Sequence, residues 1–505
     1  MIRIIGSAIS VCLSVLLPAA VVARTLSVSA GKIASGVMVG PEDTELSLVG
    51  NVNAADLHHI ALNCRSLRSL DLSGVDIVAY SGEAVATNRG SFPADELPAY
   101  SLSGLTAISL TLPQSLHSIG DGALMSASVE NIVIPESVDK IGVGSFADCG
   151  KLRKVRIAST VKSVGAYSFK GCGSLTDVDY DSSTVPESAF SDCAKLSKIS
   201  FGNEVKFIGK DAFAGCISLS DVTFAGQASL SEISDGAFAV TAFQDMDFGD
   251  CQSLKSVGAH AFAGCAGLES IVLPSSVEMI GEGIFLDCGS LKSLILPERV
   301  STLPAMALKG ASSMSDLSGV LGGHVSVVGE LAMAGMGAVE ELPLPASLRE
   351  IGSNAFEGCT SLGIILAEKL GMVPALGSDV WLGLDCPSIE LVVDEDMASG
   401  FSSADQWKDF KIKIFDESAI DSPVADRTDA IRACLHESVI EVGSSQPIVD
   451  VRIYDLDGRR IFYAEPQGVC NYSASVTAVT GKVYIVSVSM SDGSVAAVKL
   501  LNSAD

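Results

Sequence analysis

Charge and aromatic side chains are scarce in this 505-residue chain: 18% of residues are charged, 6% are aromatic, and tryptophan occurs twice. Cations are the scarcer sign, with 33 Lys and Arg against 60 Asp and Glu for a formal charge of -27. Such a surface repels phosphate and anionic lipid at long range, which argues against a nucleic acid partner. The six histidines, His58, His59, His117, His260, His324 and His436, form no HExxH and stand beside no nucleophile motif. Thirteen cysteines are present, yet no CxxC pair occurs, so zinc-ribbon and dithiol redox chemistry lack their spacing. No candidate membrane span is expected beyond the N-terminal segment.

What is abundant is aliphatic: 48% of the chain is hydrophobic, enough for a large core. After Arg3, residues 4–23 carry no charge and end in "LLPAAVVARTL", with Val21 and Ala23 as the small residues a signal peptidase accepts. Residues 1–23 are therefore expected to be a cleaved signal peptide and the protein to be exported.

Beyond it one unit repeats. Its aromatic position falls at Phe146, Phe169, Phe190, Phe213, Phe238, Phe262, Phe285 and Phe356, with weaker copies at Leu102, Leu124, Leu308, Met333 and Trp381. The consensus is aliphatic-Pro-x-x-Val-x-x-Ile-Gly-x-x-Ala-Phe-x-x-Cys-x-x-Leu-x-x-Ile-x-Leu. A period of about 21 to 25 residues is that of leucine-rich repeats. In "LKSLIL", Leu291, Leu294 and Leu296 alternate as a short strand facing a core; in "SVEMIG", Val277 and Ile280 supply a second run, and Gly281 is expected to allow a tight corner. Phe285 plugs the space between. No unit buries these faces alone, so about 13 units must stack into a solenoid on the order of 60 Å long.

Cys64, Cys149, Cys172, Cys193, Cys216, Cys265, Cys288 and Cys359 share one slot, three residues before a core leucine, which Ala311 and Met336 fill elsewhere. Interchange with alanine and methionine marks a compact buried hydrophobe. Disulfides between adjacent units remain an alternative, although parallel Cβ vectors disfavour them. "GVGSFA" at 142–147 imitates part of a dinucleotide loop but is the repeat's own corner. "DLDG" at 455–458 lacks the later glutamate of a calcium loop and reads as a hairpin turn. No cofactor or metal is expected.

The units "IPESVDKIGVGSFADCGKLRKVRI" and "LPASLREIGSNAFEGCTSLGIIL" resemble the BspA-like leucine-rich repeats of bacterial surface proteins, over roughly residues 45 to 412. The resemblance implies a secreted or surface-displayed binding protein and no reaction. Residues 416–430, rich in Asp, Ser and Pro, read as a linker. The segment 431–505 reads as hairpins of a small β-sandwich and resembles the sorting domain of type IX secretion cargo. Asp455, Gly458, Arg459, Gly481, Tyr484 and Lys499 match that pattern; Lys482-Val483 before Tyr484 and the closing "LNSAD" depart from it.

The expected organisation is mainly β: a signal peptide (1–23), an N-terminal cap with first repeats (24–100), a leucine-rich repeat solenoid with its C-terminal cap (101–415), the linker and the sorting domain. The expected partners are a host or bacterial surface protein or glycan, and the secretion machinery through the C-terminal domain. An accessory or enzymatic component of a surface glycan-uptake system is the alternative.

Within each strand, residues between core aliphatics must face outward. That slot reads Val133, Arg156, Asp179, Ser200, Thr223, Asp247, Val272 and Ile295, and two residues earlier Lys154, Asp177, Lys198, Asp221 and Asp245. Arg156 is expected to pair with Asp179 across strands. Val272 and Ile295 are expected to form an exposed apolar patch beside the acids. Asp179, Asp221, Thr223, Asp245, Asp247, Val272 and Ile295 are thus the candidate partner contacts.

Overall fold

The computed structural model describes residues 23–415 except 36–37, 84, 86–89 and 225–228, and residues 431–501 except 437–438, 456–459, 465, 467–468, 476–482 and 492–494. The signal segment 1–22, the linker 416–430, and Gly458, Arg459, Gly481 and Lys482 of the sorting pattern lie outside the described residues.

Most units lay down two short strands, one on each of two opposite walls of a solenoid, each parallel to its equivalents in the neighbouring units. In Lys154–Ile157, Val155 and Ile157 enter the core while Lys154 and Arg156 face water. This strand pairs in register with Asp177–Tyr180, then Lys198–Phe201, then Asp221–Phe224. The same wall resumes with Asp245–Asp247, Ser270–Val272 and Ser293–Ile295, and again from Glu341–Pro343 to Lys411–Ile414. The opposite wall consists of two-residue strands such as Phe207–Ile208, Glu232–Ile233, Ser256–Val257 and Met279–Ile280.

Between the walls the aromatic plugs form a column. Rings from Phe146 through Phe285 stack nearly parallel, with centroids 4.9 Å apart between Phe146 and Phe169 and 5.8 Å apart between Phe262 and Phe285. The spacing is close to one strand separation, so ring stacking and backbone pairing reinforce each other. Tyr180 and Phe201 pack edge-on against this column.

Gly281 stands where the strand Met279–Ile280 gives way to the turn, as expected, and it is the missing Cβ that matters there: its backbone is not left-handed, but a Cβ would sit 2.2 Å from the Ala259 backbone nitrogen of the preceding unit. The Gly281 amide donates to the Val257 carbonyl at 2.8 Å, and this bond draws the two chains too close for a side chain. Gly142, Gly165, Gly258 and Gly352 face the same obstruction. The left-handed residues lie elsewhere, two before and two after each plug. Around Phe262 they are His260 and Gly264, and around Phe238 they are Gly236 and the β-branched Val240, with φ of 57°.

The ends of the stack are closed by side chains. At the N-terminal end the buried carboxylate of Asp56 accepts from the backbone amides of Gly31 (2.7 Å), Ala34 (2.9 Å) and Asn53 (3.1 Å). Asn53 in turn caps the helix Ala54–Asn63 through the Ala55 and Asp56 amides. At the other end, the Val380 amide donates to Gln406 Oε1 at 2.9 Å and Gln406 Nε2 donates to the Gly377 carbonyl at 2.7 Å. One carboxamide thus stands in for the next unit's backbone. Trp381, Trp407, Phe401 and Phe410 seal the core behind it.

The six strands among the described residues of the C-terminal domain belong to one antiparallel sheet. Its longest strand, Val439–Asp455, pairs through its first half with Ile431–His436 and Val469–Ser475, and through its second half with Arg460–Ala464 and Val483–Met490.

Gly281→Ala should destabilise the solenoid by about 3 kcal/mol, the upper range for overpacking against an immovable backbone. Gly289→Ala, where a Cβ meets nothing closer than 3.8 Å, should change little. Chemical denaturation of both variants checks the contrast; equal midpoints would refute the close-approach account.

Candidate binding face

The strand wall carries two outward rows. In the first, Lys154 bonds Asp177 at 2.9 Å and Lys198 bonds Asp221 at 3.1 Å, so charges alternate along successive rungs. The Asp177 carboxylate, by hydrogen bond and charge, raises the Lys154 pKa. In the second row Arg156 does not pair with its register neighbour Asp179. It reaches Glu136 at 3.4 Å and Asp181 at 3.7 Å, acids beyond the strand ends. A long guanidinium side chain satisfies both there at little conformational expense.

The structure brings four of the candidate residues together. Asp245, Ser270 and Ser293 stand opposite one another on adjacent rungs, as do Asp247, Val272 and Ile295. Asp221 and Thr223 stand at the end of a separate ladder, and Asp179 lies two rungs further along it. The expected exposed apolar patch is smaller than the sequence suggests. Val272 and Ile295 are half-buried, whereas Val133 in the same row is 79% exposed. Alternation fixes which way a side chain points but not what neighbouring loops cover. The Gly319 segment, for one, approaches Ile295 closely enough that a Cβ there would lie 3.3 Å from it.

Two residues at this face were missed by sequence reasoning. Ser270 Oγ donates a short hydrogen bond to the Asp245 carboxylate. Arg452, from the C-terminal domain, places Nη1 3.4 Å from Ser270 Oγ and 3.9 Å from Asp245 Oδ1. Its Nε and Nη2 also grip Asp450, at 3.1 Å and 3.2 Å. No local signal links residues 182 positions apart.

The cysteine slot is buried, and all its members are free thiols; no disulfide occurs among the described residues. Each of seven thiols donates to the carbonyl of the previous unit's plug residue, as Cys172 to Phe146 at 3.2 Å and Cys216 to Phe190 at 3.1 Å. The slot is therefore a weak polar strut as well as a hydrophobe, which its exchange with alanine concealed. Burial pushes the Cys288 thiol up to about 12 and the Cys359 thiol up to about 11. Such thiols are poor nucleophiles and poor metal ligands at neutral pH. Among the described residues no cluster of His, Cys, Asp and Glu is arranged to hold a metal, and no helix is long and apolar enough to cross a membrane.

This chain belongs to the BspA-type leucine-rich repeat family. The model of the BspA type leucine-rich repeat region (6 copies) matches residues 95–193, 183–315 and 231–363, more than half the chain. Among solved structures, a leucine-rich repeat protein from Bacteroides ovatus is 21% identical, covering 78% of this chain and 92% of that one with a TM-score of 0.48. A leucine-rich cell surface protein from Faecalibacterium prausnitzii is 24% identical, covering 50% and 82%, with a TM-score of 0.31. The leucine-rich repeat protein of T. pallidum is 26% identical, covering 43% and 80%, with a TM-score of 0.28. No curated protein matches the chain.

Cys216→Ala should cost on the order of 1 kcal/mol, because the Phe190 carbonyl keeps the Cys193 amide at 3.2 Å when the thiol is removed. The buried thiols also set a pH dependence. An unfolded thiol ionises near 9 but the folded Cys288 only near 12, so above pH 9 the unfolded state sheds protons that the folded state retains. Stability should be flat with respect to these groups below about pH 8 and fall from pH 9 toward 12. Denaturation midpoints across pH 7 to 11 check this, and a Cys288→Ala chain should show a shallower alkaline decline.

Proposed function

We propose that this chain is an exported, non-catalytic binding protein whose solenoid recognises a protein or glycan on a host or neighbouring bacterial surface. Its family is typical of cell surfaces. The observation that carries the reading is the division of labour within each unit. Inward positions and backbone amides are committed to neighbouring units, while the outward slots keep no one residue type from unit to unit and hold Lys, Arg, Asp, Ser, Thr, Val and Ile. Stacked units thereby offer an extended surface whose chemistry varies independently of the fold. The rungs bearing Asp245, Asp247, Val272 and Ile295 are the favoured contact region because acidic and aliphatic groups adjoin there. The C-terminal domain, by its resemblance to type IX cargo tails, serves as the export address.

Binding is tested with the full chain against glycan and peptide panels. Saturable binding without turnover is expected, and Val272→Glu with Ile295→Glu should abolish it; because both side chains are half-buried the unfolding midpoint should fall, while cooperative unfolding is retained. Full affinity in the double variant moves the site elsewhere; turnover without a partner replaces this reading with an enzymatic one. For export, removing residues 431–505 should hold the chain within the cell envelope. Normal surface display of the truncated chain would remove the sorting assignment.

A further inference from the structure

The strand Val439–Asp455 buries Val451 and Ile453 completely in its own sheet, and alternation turns Asp450 and Arg452 to the opposite face. On a free-standing sheet that face would meet water. Here the side chains of Arg452 and Asp450 are only 22% and 9% exposed. A carboxylate withdrawn from water needs a cation, and the guanidinium supplies it through one hydrogen bond from Nη2 and an ionic contact from Nε. The remaining nitrogen, Nη1, points away from the domain to Ser270 Oγ and Asp245 on the solenoid. Ser270 itself donates to Asp245, so cation, hydroxyl and carboxylate form one chain of polar contacts across two parts of the molecule.

Charge and reach both permit this seating. The acidic chain offers few cations, and this one faces an acidic rung. From the last strand, Lys411–Ile414, back to Ser270 is about six rungs, or roughly 30 Å. The fifteen intervening residues 416–430 can cover up to about 50 Å.

We propose that the C-terminal domain is an intramolecular cover for the solenoid's strand wall. It seats on the rungs at 245–247 and 270–272 through Arg452, leaving the outer sides of Asp245 and Asp247 in water, and has to leave before an external partner takes the Ser270 hydroxyl and the side of Asp245 that faces Arg452. The regulatory consequence rests on the reading that this wall binds a partner; the cover itself does not, and is measured without one.

The test is carboxylate footprinting of the full chain with a carbodiimide and glycine ethyl ester, read by mass spectrometry. In the native chain Asp450, whose side chain is 9% exposed, should react slowly relative to Asp379, an exposed acid near the C-terminal cap. Asp245→Lys places a cation opposite Arg452, leaves the C-terminal domain's own residues unaltered, and should raise Asp450 labelling several-fold with Asp379 unchanged. Equal Asp450 labelling in both chains overturns the cover. A second readout avoids dependence on that variant: in an Arg452→Lys chain, carbodiimide alone should create an amide link between position 452 and Asp245. Absence of the link also overturns it. A covered wall that binds nothing on either panel would instead leave this inference standing and defeat only the binding reading.

Discussion

Every unit must repeat its neighbour after a translation of about one strand spacing, and this requirement governs the rest of the molecule. The amides of the plug residues donate forward, Phe146 to the Ser168 carbonyl at 2.8 Å and Phe213 to the Ala237 carbonyl at 2.8 Å, while the glycine slot donates backward. Both directions are in use at each junction. A shift of one unit therefore breaks ladders on both walls and unstacks a ring from the column. The same translation explains the alternation at the left-handed turns. Asp148 precedes Gly171, Asp192 precedes Gly215 and Asp287 precedes Gly310, because the Asp Oδ1 occupies the space that a Cβ on the next unit would need.

The rule relaxes in identifiable places. Ser145 and Ser168 stand in a slot that alanine fills in most other units, and their buried hydroxyls find no partner in the protein. Each carries a small desolvation penalty that the surrounding ladder absorbs. The strand wall itself breaks between Asp221–Phe224 and Asp245–Asp247. The plugs on either side, Phe213 and Phe238, are further apart in sequence than most neighbouring pairs. Phe224 and Phe248 bridge that junction with centroids 5.8 Å apart, so the core continues where the ladder does not.

Periodicity made the solenoid legible: the plugs, inward aliphatics and cysteine slot are each fixed by one residue type recurring at one spacing. Contacts between units were less legible, because a consensus does not say what a residue touches one rung away. Gly281 was legible as a corner that excludes a Cβ, but not that the obstruction is the backbone of the preceding unit; Arg156 looked like a partner for Asp179 and serves Glu136 and Asp181. Burial on the outer wall was the least legible. Val272 and Ile295 do point outward, but loops and the Gly319 segment of the next unit decide how much of them water reaches. Arg452 lay beyond any repeat argument, since its partners belong to another domain.

The shrinkage of the apolar patch changes what kind of partner this wall favours. With Val272 and Ile295 half-buried already, little apolar area remains to be removed from water, and hydrophobic burial alone supplies less affinity than two exposed aliphatics would have promised. What stays at the surface is polar: the carboxylates of Asp245 and Asp247 and the hydroxyls of Ser270 and Ser293, on a chain with a formal charge of -27. The group seated there is a guanidinium, and it makes a hydrogen bond to the hydroxyl and an ionic contact to the acid. A ligand that displaces it must leave those acceptors no worse satisfied, since an acidic rung stripped of its cation and covered by an apolar surface would lose solvation without compensation. On the proposed binding reading the wall would select for cationic side chains or dense hydroxyl donors, and affinity for a cationic partner should weaken as salt screens the contact.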